Sequence, residues 1–415
     1  MILKLYAFGI RLFALIFVFV GYFSVKVKLW NVGRKKAFIQ LGTFKKEKRL
    51  IWFHCASVGE FEQARPIIEK LKVQGDYQIA LTFFSPSGYE LRKNYNLADV
   101  ISYLPLDTSD NAKKFIDRLK PDMVVFIKYD FWFNFMQVLR DRKIKMAVVS
   151  AYIPQDHWLL TFPGSLMVNR LNQFSKLFVQ DLDSKINLEK VDIRNLEVIG
   201  DTRFDRVLDN QVGARSLSFV DEFIDHRKTV VIGSNWPEDD EILFPAIEKF
   251  EGVQWIVAPH EMNQKQLTRW KAKFQDDIVF WSGQKDGVSF HSKKVLVIDT
   301  IGLLSKVYAY ADVAYVGGGF GMAVHNTLEP SVFNIPVIFG PKNQRFLEVQ
   351  ALKKLKIGYQ VHLSNEFETT LDLVLNNREL REEVAKQSAE YFASQKGASV
   401  KVFNWIQSEF ATIGK

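Results

Sequence analysis

ADVAYVGGGFGMAVHNTLEP, residues 311–330, runs from an apolar strand pattern through a glycine turn into an acidic helix start. Ala311–Val316 reads as a buried strand, and Gly317–Gly319 lets the chain turn close to a ligand. Asn326 and Glu329 are three apart and share one face of the helix that follows. Pro330 falls in its first turn, where a missing N–H costs little. A carboxylate beside free backbone N–H groups suits ribose hydroxyls, and a helix start suits phosphate. The stretch therefore reads as a nucleotide pocket in the second half of the chain. The same residues also describe an ordinary strand–turn–helix with a capping-box-like Asn326/Glu329 pair.

Working outward, short apolar runs alternate with amphipathic stretches. Leu50–Cys55, Gln78–Phe83, Met123–Ile127, Lys145–Ser150, Leu177–Val179 and Leu196–Val198 read as strands. The rhythm restarts at Thr229–Ile232 and continues through Gln254–Ala258, Val295–Ile298, Val313–Val316 and Pro336–Phe339. Alternating strand and helix predicts an α/β fold of two doubly wound, mostly parallel domains, with ligands beyond the carboxyl ends of the strands. The expected divisions are residues 1–28, an anchor; 29–208, a first Rossmann-like domain; and 209–415, a second one. The terminal helices, Glu379–Ala393 and Ser399–Phe410, are expected to pack back on the junction, which is the polar stretch Asp205–Ser218.

The chain has 415 residues, 47% hydrophobic and 25% charged, a normal globular balance with room for two cores. Net charge is +8, which fits anionic lipid, a phosphorylated acceptor or nucleic acid. No zinc-finger spacing, arginine-rich tail or RNP-like motif supports nucleic acid. A single cysteine, Cys55, excludes a disulfide framework and agrees with a reducing compartment. It lies in a strand pattern with no activating partner, so a buried structural thiol is expected. No metal-ligand spacing appears, and neither a metal nor a cofactor is expected.

Met1–Phe23 is strongly apolar but contains Lys4 and Arg11. Its uninterrupted run, Leu12–Phe23, is shorter than the roughly 20 residues a full span needs. Lys26, Lys28, Arg34, Lys35 and Lys36 form a basic flank, which by the positive-inside rule puts the globular body on the cytoplasmic face. The dense lysines and the lack of a small-residue cleavage site speak against a removed signal peptide. The segment is read as an uncleaved anchor of the inner (plasma) membrane, either a single span or a deep interfacial helix attracted to anionic lipid. The aromatic stretch Tyr152–Met167 fits either a bilayer contact or buried core.

Ser57-Val58-Gly59-Glu60 directly follows the first strand. Gly59 permits a tight turn, and Glu60 stands at a helix entrance at the mouth of the sheet. A carboxylate there can take a proton from an incoming hydroxyl; it can equally be a helix-start acid favoured by the dipole. Arg65, one turn on, suits an anionic acceptor or a surface role.

These motifs together resemble the 3-deoxy-D-manno-octulosonic acid (Kdo) transferases of lipid A and lipopolysaccharide assembly. The resemblance rests on WFHCASVGE at 52–60, Arg65-Pro66, SPSGYE at 85–90, YLPLD at 103–107, RLKPD at 118–122 and GDTRFD at 200–205. It continues through Gly233-Ser234, DTIGLL at 299–304, ADVAYVGG at 311–318, HNTLEP and FGP at 339–341. The order is the family's, and it covers nearly the whole chain. It implies a GT-B fold, two facing Rossmann-like domains with an N-terminal membrane-anchor helix. It implies a CMP-Kdo donor on the second domain, and the acylated, phosphorylated disaccharide precursor of lipid A (lipid IVA) on the first. The reaction would be an inverting transfer to a primary hydroxyl, with Glu60 as general base. Gly233 and Ser234 would lie near the donor phosphate, Ile301 and Gly302 near the cytosine, and Gly318, Asn326 and Glu329 in the nucleotide grip, with Glu329 on the ribose. Ser57, Gly59, Arg65, Lys128 and Asp130 would face the acceptor.

Two departures stand out. Where the family has E-x-E-x-W-P-N, this chain has Lys128-Tyr-Asp130-Phe-Trp-Phe133-Asn134, exchanging one acid for Lys128 and the proline for Phe133. Where the family has R-H-P, it has Pro259-His260-Glu261, which keeps His260 for the nucleotide but leaves a phosphate contact unassigned. The alternatives are another GT-B enzyme using a UDP-sugar on a lipid-linked acceptor, or a catalytically silent membrane scaffold that binds nucleotide or lipid. Intact Glu60 and Glu329 speak against the scaffold.

Overall fold

The computed structural model of the chain describes residues 2–213, 216–286 and 288–413. Met1, the side chains of Lys4 and Lys26, and residues 214–215 of the expected joining stretch lie outside the described residues. Two compact units are present. One comprises Met1–Arg206 with Gly397–Lys415, and the other Val207–Lys396.

The first unit carries β1 (Arg49–Cys55), β2 (Tyr77–Phe83), β3 (Val100–Tyr103), β4 (Met123–Ile127), β5 (Lys145–Ala151), β6 (Lys176–Val179) and β7 (Leu196–Val198). They form one sheet in the order β3-β2-β1-β4-β5-β6-β7, every neighbouring pair parallel. A parallel sheet is covered on both faces, so its central strands are apolar throughout. Trp52, Val124 and Phe126 enter one core layer; Ile51, Phe53, Val125 and Cys55 enter the other.

Strand order reverses between β1 and β4. In a doubly wound sheet this opens a crevice above the carboxyl ends of those two strands.

The second unit repeats the plan with β8 (Lys228–Asn235), β9 (Val253–Pro259), β10 (Ile278–Phe280), β11 (Val295–Val297), β12 (Val313–Val316), β13 (Val337–Phe339) and β14 (Gly358–Gln360). Their order is β10-β11-β9-β8-β12-β13-β14, again all parallel. Here the reversal falls between β8 and β12.

The last helix, Ala398–Ile413, lies against the first sheet. Ala398, Val402, Ile406 and Phe410 are buried in its core, and each large side chain so buried contributes roughly 1.5–3 kcal/mol. Asp205, from the GDTRFD motif, caps this helix by accepting the Gly397 and Ser399 N–H groups, each at 2.6 Å. Lys145 pairs with Glu409 on the same helix.

The N-terminal segment differs from the expected anchor. It forms two helices, α1 (Ile2–Val20) and α2 (Val25–Gly42). No helix among the described residues is long and apolar enough to cross a membrane. Exposed Arg11 interrupts the apolar run of α1, and α1 belongs to the first unit. Tyr6 donates to Asp107 at 2.7 Å and sits edge-on to Phe133, while Phe13 and Phe17 pack on Trp30 of α2. The opposite face, with Phe8, Leu12, Leu15, Phe19 and Phe23, is exposed at helical spacing. Lys28, Lys35 and Lys36 are exposed beside it, whereas Arg34 is buried and does not belong to the basic flank.

Candidate active site

In the first unit, β1 delivers Ala56 and Ser57 to the start of helix α3 (Val58–Gln74). Ser57 is its N-cap, accepting the Glu60 N–H at 3.4 Å. The Glu60 carboxylate folds back to accept the Ala56 N–H, which fixes it over the end of β1. Glu60 thus lies in the first turn of α3 and stands at the crevice. Gly59 makes no tight turn: it lies in the first helical turn, and a Cβ there would meet only Ser57 Oγ at 3.9 Å, so the space above it is open.

Across the crevice, Lys128 follows β4 with φ of 60°, a left-handed bend that β-region residues avoid. The bend turns Asp130 toward His54, whose Nε2 lies 3.2 Å from Asp130 Oδ2, an ion-pair distance without hydrogen-bond alignment. Thr82 Oγ1 accepts from Trp52 Nε1 at 2.8 Å and lies 2.8 Å from His54 Nδ1. The Thr82 hydroxyl also reaches the carbonyl of Phe53, at 3.5 Å.

Burial, reinforced by the Asp130 charge, pushes the Glu60 carboxyl up to about 8, while the Ala56 N–H and Lys128 pull the other way. A carboxylate of that basicity is matched to accepting a proton near neutral pH. Lys128, Asp130, Ser57 and Gly59 therefore gather around Glu60. Arg65 is engaged elsewhere, at 2.8 Å from Glu69 and 3.8 Å from Glu62. Tyr129, beside Lys128, touches His157, which touches Trp158. The Tyr152–Met167 stretch divides accordingly: Leu159 and Met167 are core, while Trp158, Phe162 and Leu166 are exposed. Cys55 is buried and its thiol is pushed up by burial.

In the second unit the crevice between β8 and β12 is built of glycines and rings. A Cβ at Gly233 would sit 1.8 Å from Tyr308 Oη, so β8 admits no side chain at that position. Ser234 follows with φ of 53°, at a bulge where the register with β9 shifts. A Cβ at Gly317 would lie 2.3 Å from the Ser234 carbonyl, and Gly318 needs φ of 88°. Asp239 holds the loop by accepting the Gly318 N–H at 2.9 Å and the Tyr315 hydroxyl at 2.8 Å.

Trp236, His260 and His325 stack over this loop: Trp236 and His260 at 4.6 Å and 14°, His260 and His325 at 4.2 Å. Trp236 Nε1 donates to His325 Nε2 at 2.7 Å, which places the His325 proton on Nδ1. Burial, with neighbouring His260 adding to it, holds the His325 imidazole down to about 4, so it is neutral at physiological pH.

Asn326 donates to Glu329 at 3.1 Å, the capping-like pair of the sequence reading. The helix it enters, Leu328–Ser331, is a single turn, so its dipole is small. Gly233, Ser234, His260 and Gly318 come together at the strand ends with the Asn326/Glu329 segment next in the chain. Ile301 and Gly302 follow β11, outside β9, and Ile301 is 79% exposed. Trp236, His325 and His54 were given no role by sequence reasoning, although His54 and His325 sit inside the quoted motifs. No group of three or more His, Cys, Asp or Glu able to hold a metal occurs among the described residues.

The fold of two Rossmann-like units recurs in solved structures. UDP-GlcNAc 2-epimerase from Neisseria meningitidis has a TM-score of 0.60 at 14% identity, covering 87% of this chain and 100% of that one. MurG from Acinetobacter baumannii has a TM-score of 0.55 at 15% identity, covering 87% and 99%. The sequence relatives of the chain indicate a glycosyltransferase. Residues 32–206 match the family described as 3-deoxy-D-manno-octulosonic-acid transferase (kdotransferase), and the match ends where the first unit gives way to the second. Curated Kdo transferases are similar to this chain over most of its length. The enzyme of that name from Chlamydia pneumoniae is 28% identical over 87% of this chain and 85% of its own. That from Aquifex aeolicus is 27% identical over 82% and 90%. A bifunctional glycosyltransferase/methyltransferase of Fusobacterium nucleatum is 24% identical over 82% of this chain, which spans only 54% of that relative's length.

Proposed function

We propose that the chain transfers Kdo from CMP-Kdo to the primary hydroxyl of an acylated, phosphorylated disaccharide of the lipid IVA type, with inversion, in lipopolysaccharide core assembly. The observation that carries this is the buried Glu60 carboxylate, of raised basicity, at the switch point of the first sheet. Glu60 takes the hydroxyl proton, the hydroxyl oxygen bonds to the anomeric carbon, and the bond from that carbon to the CMP phosphate oxygen breaks with its electron pair going to CMP. No covalent enzyme intermediate is needed. Burial and the Asp130 charge raise the basicity of Glu60, and the Ala56 N–H holds its carboxylate in position. In the second unit the bare loop at Gly317–Gly319 admits the phosphate, the Trp236/His260/His325 rings offer a face to the nucleotide, and Glu329 suits the ribose.

The exposed apolar face of α1 with its lysine flank supports an interfacial seat on anionic lipid at the cytoplasmic face of the inner membrane. Exposed Trp158 and Phe162 suit the acyl chains of the acceptor. The test is transfer to a tetraacylated lipid A precursor in detergent, with CMP-Kdo generated in situ and product mass counting the sugars added. Binding of CMP and UDP to the same protein is compared alongside. Product with wild type, its loss in Glu60→Gln, and preference for CMP support the reading. Preference for UDP with no product overturns it in favour of a UDP-sugar enzyme.

A further inference from the structure

Arg34 of α2 is 7% exposed, and its Nε, Nη1 and Nη2 atoms are all buried without a hydrogen-bond partner. The guanidinium lies 3.4 Å from the ring centre of Trp30, one helical turn away, and 4.2 Å from that of Phe84. Cation–π contact stabilises a charge on the ring faces but leaves every N–H at the guanidinium edge unused. Three further polar atoms of the same ring cluster are buried and unpartnered: Trp30 Nε1, Tyr103 Oη and Trp132 Nε1. Tyr103 is the titratable group whose charge Arg34 feels, and burial keeps that phenol protonated, pushed up to about 12. The cluster thus has several unused hydrogen-bond donors, and the carboxylate felt there is Glu90, through Tyr103.

The position is fixed rather than loose. A Cβ at Gly33 would lie 2.2 Å from the Tyr103 ring, so α2 sits directly on that residue. Half-buried Phe84 covers the guanidinium and stacks on half-buried Trp132 at 5.0 Å, and Trp132 meets His54 at 5.9 Å. The same rings connect at their other end to Phe13 and Phe17 of α1, whose far face is the exposed apolar one. A contiguous path of rings therefore runs from the α1–α2 hairpin, past the buried Arg34 guanidinium, to the His54/Asp130 side of the Glu60 crevice.

We propose that Arg34 is the floor of an anion site for a phosphate monoester, opened when Phe84 swings off the guanidinium. A guanidinium fork matches phosphate geometry, and the three acceptor oxygens of a monoester suit donors spread over several rings better than the two of a carboxylate. The proposal rests on the acceptor reading of the first unit: the ester is a phosphate of the acylated acceptor, held while its hydroxyl reaches Glu60.

The test has two arms, using the full chain in detergent. In the first, tryptophan fluorescence is titrated with a short-chain phosphatidic acid, with inorganic phosphate, and with the methyl diester of the same lipid, for wild type, Arg34→Gln and Arg34→Lys. A saturable change with the monoester lipid is expected, absent with the diester. It should weaken on the order of tenfold in Arg34→Lys, which keeps the charge and the stack but loses the fork, and disappear in Arg34→Gln. In the second, the ratio of transfer to phosphorylated over dephosphorylated acceptor is measured. That ratio should be on the order of 10- to 100-fold in wild type and fall to near unity in Arg34→Gln. Equal titrations in wild type and Arg34→Lys, or an unchanged ratio, overturn the site and leave Arg34 a packing residue. A response to inorganic phosphate but not to the lipid overturns the lipid source. If wild type transfers to neither acceptor, the functional proposal fails while the first arm still decides the anion site.

Discussion

The two sheets share a strand plan and a switch point, yet what fills each crevice is opposite. Above β1 and β4 stand a buried carboxylate, a second acid and a histidine, held by caps and a left-handed bend. Above β8 and β12 stand glycines whose Cβ positions are occupied by backbone or by Tyr308, with stacked rings beside them. The first crevice concentrates charge where water is scarce; the second removes side chains so that strand ends and loop pack directly on one another. The same topology thus carries a buried acid cluster in one half and a closely packed glycine loop in the other.

The sharpest way to break this contrast is Glu60→Gln. It should cut transfer about a hundred- to ten-thousandfold while leaving nucleotide binding by the second unit intact, as read by calorimetry with CMP. Loss of both would mean that the two crevices are not divided in labour. The same variant should be the more stable protein in alkaline buffer. The folded-state pKa of Glu60, about 8, lies above its ordinary 4.5. Its contribution to stability is therefore full below the ordinary value and is lost as pH rises toward 8, and glutamine has no such loss. Thermal melts of the two proteins across that window check the sign.

Gly233→Ala and Gly33→Ala test the two close approaches against each other. Each should cost about 1–3 kcal/mol by overpacking, the first against Tyr308 and the second against Tyr103. Only Gly233→Ala should also abolish CMP binding, and a calorimetric isotherm unchanged in that variant would remove Gly233 from the nucleotide loop. A smaller effect separates Asp130 from Lys128. The profile of kcat/KM should rise with pH through about 8 as Glu60 ionises. Asp130→Asn should move that rise to lower pH by removing a negative neighbour, and Lys128→Met should move it higher. Smallest of all, nitrogen NMR should show His325 protonated on Nδ1 and untitrated until about pH 4.

The central strands were legible because they are buried on both faces and read as apolar runs; Met123–Ile127 and Val313–Val316 match their sequence-based bounds, as does the edge strand Leu196–Val198. The three strands absent from the sequence reading, β3, β10 and β14, all lie at sheet edges. Short edge strands have one unpaired side and a weaker apolar signature. The helix α2 also escaped, since its lysines read as a flank and its buried face is carried by Trp30, Arg34, Ala37 and Leu41. At the site, Glu60 and the glycines of the second unit were legible from motif and turn chemistry. Neither His54 with Asp130 nor Trp236 with His325 could be paired from sequence, because each pair joins different strands and depends on register. Arg34 was misplaced for the same reason: nothing local distinguishes a stacked guanidinium from a solvated one.

The closing helix carries a consequence for how the chain is made. Its buried face, Ala398 to Phe410, completes a core whose other members lie before residue 200. A ribosome therefore releases all of the second unit before the first can finish its hydrophobic layer. Until then β1, β2 and the underside of α3 wait uncovered, so the nascent first half needs protection during the synthesis of nearly two hundred intervening residues. Loss of the last helix should accordingly cripple the unit made first and spare the one made later.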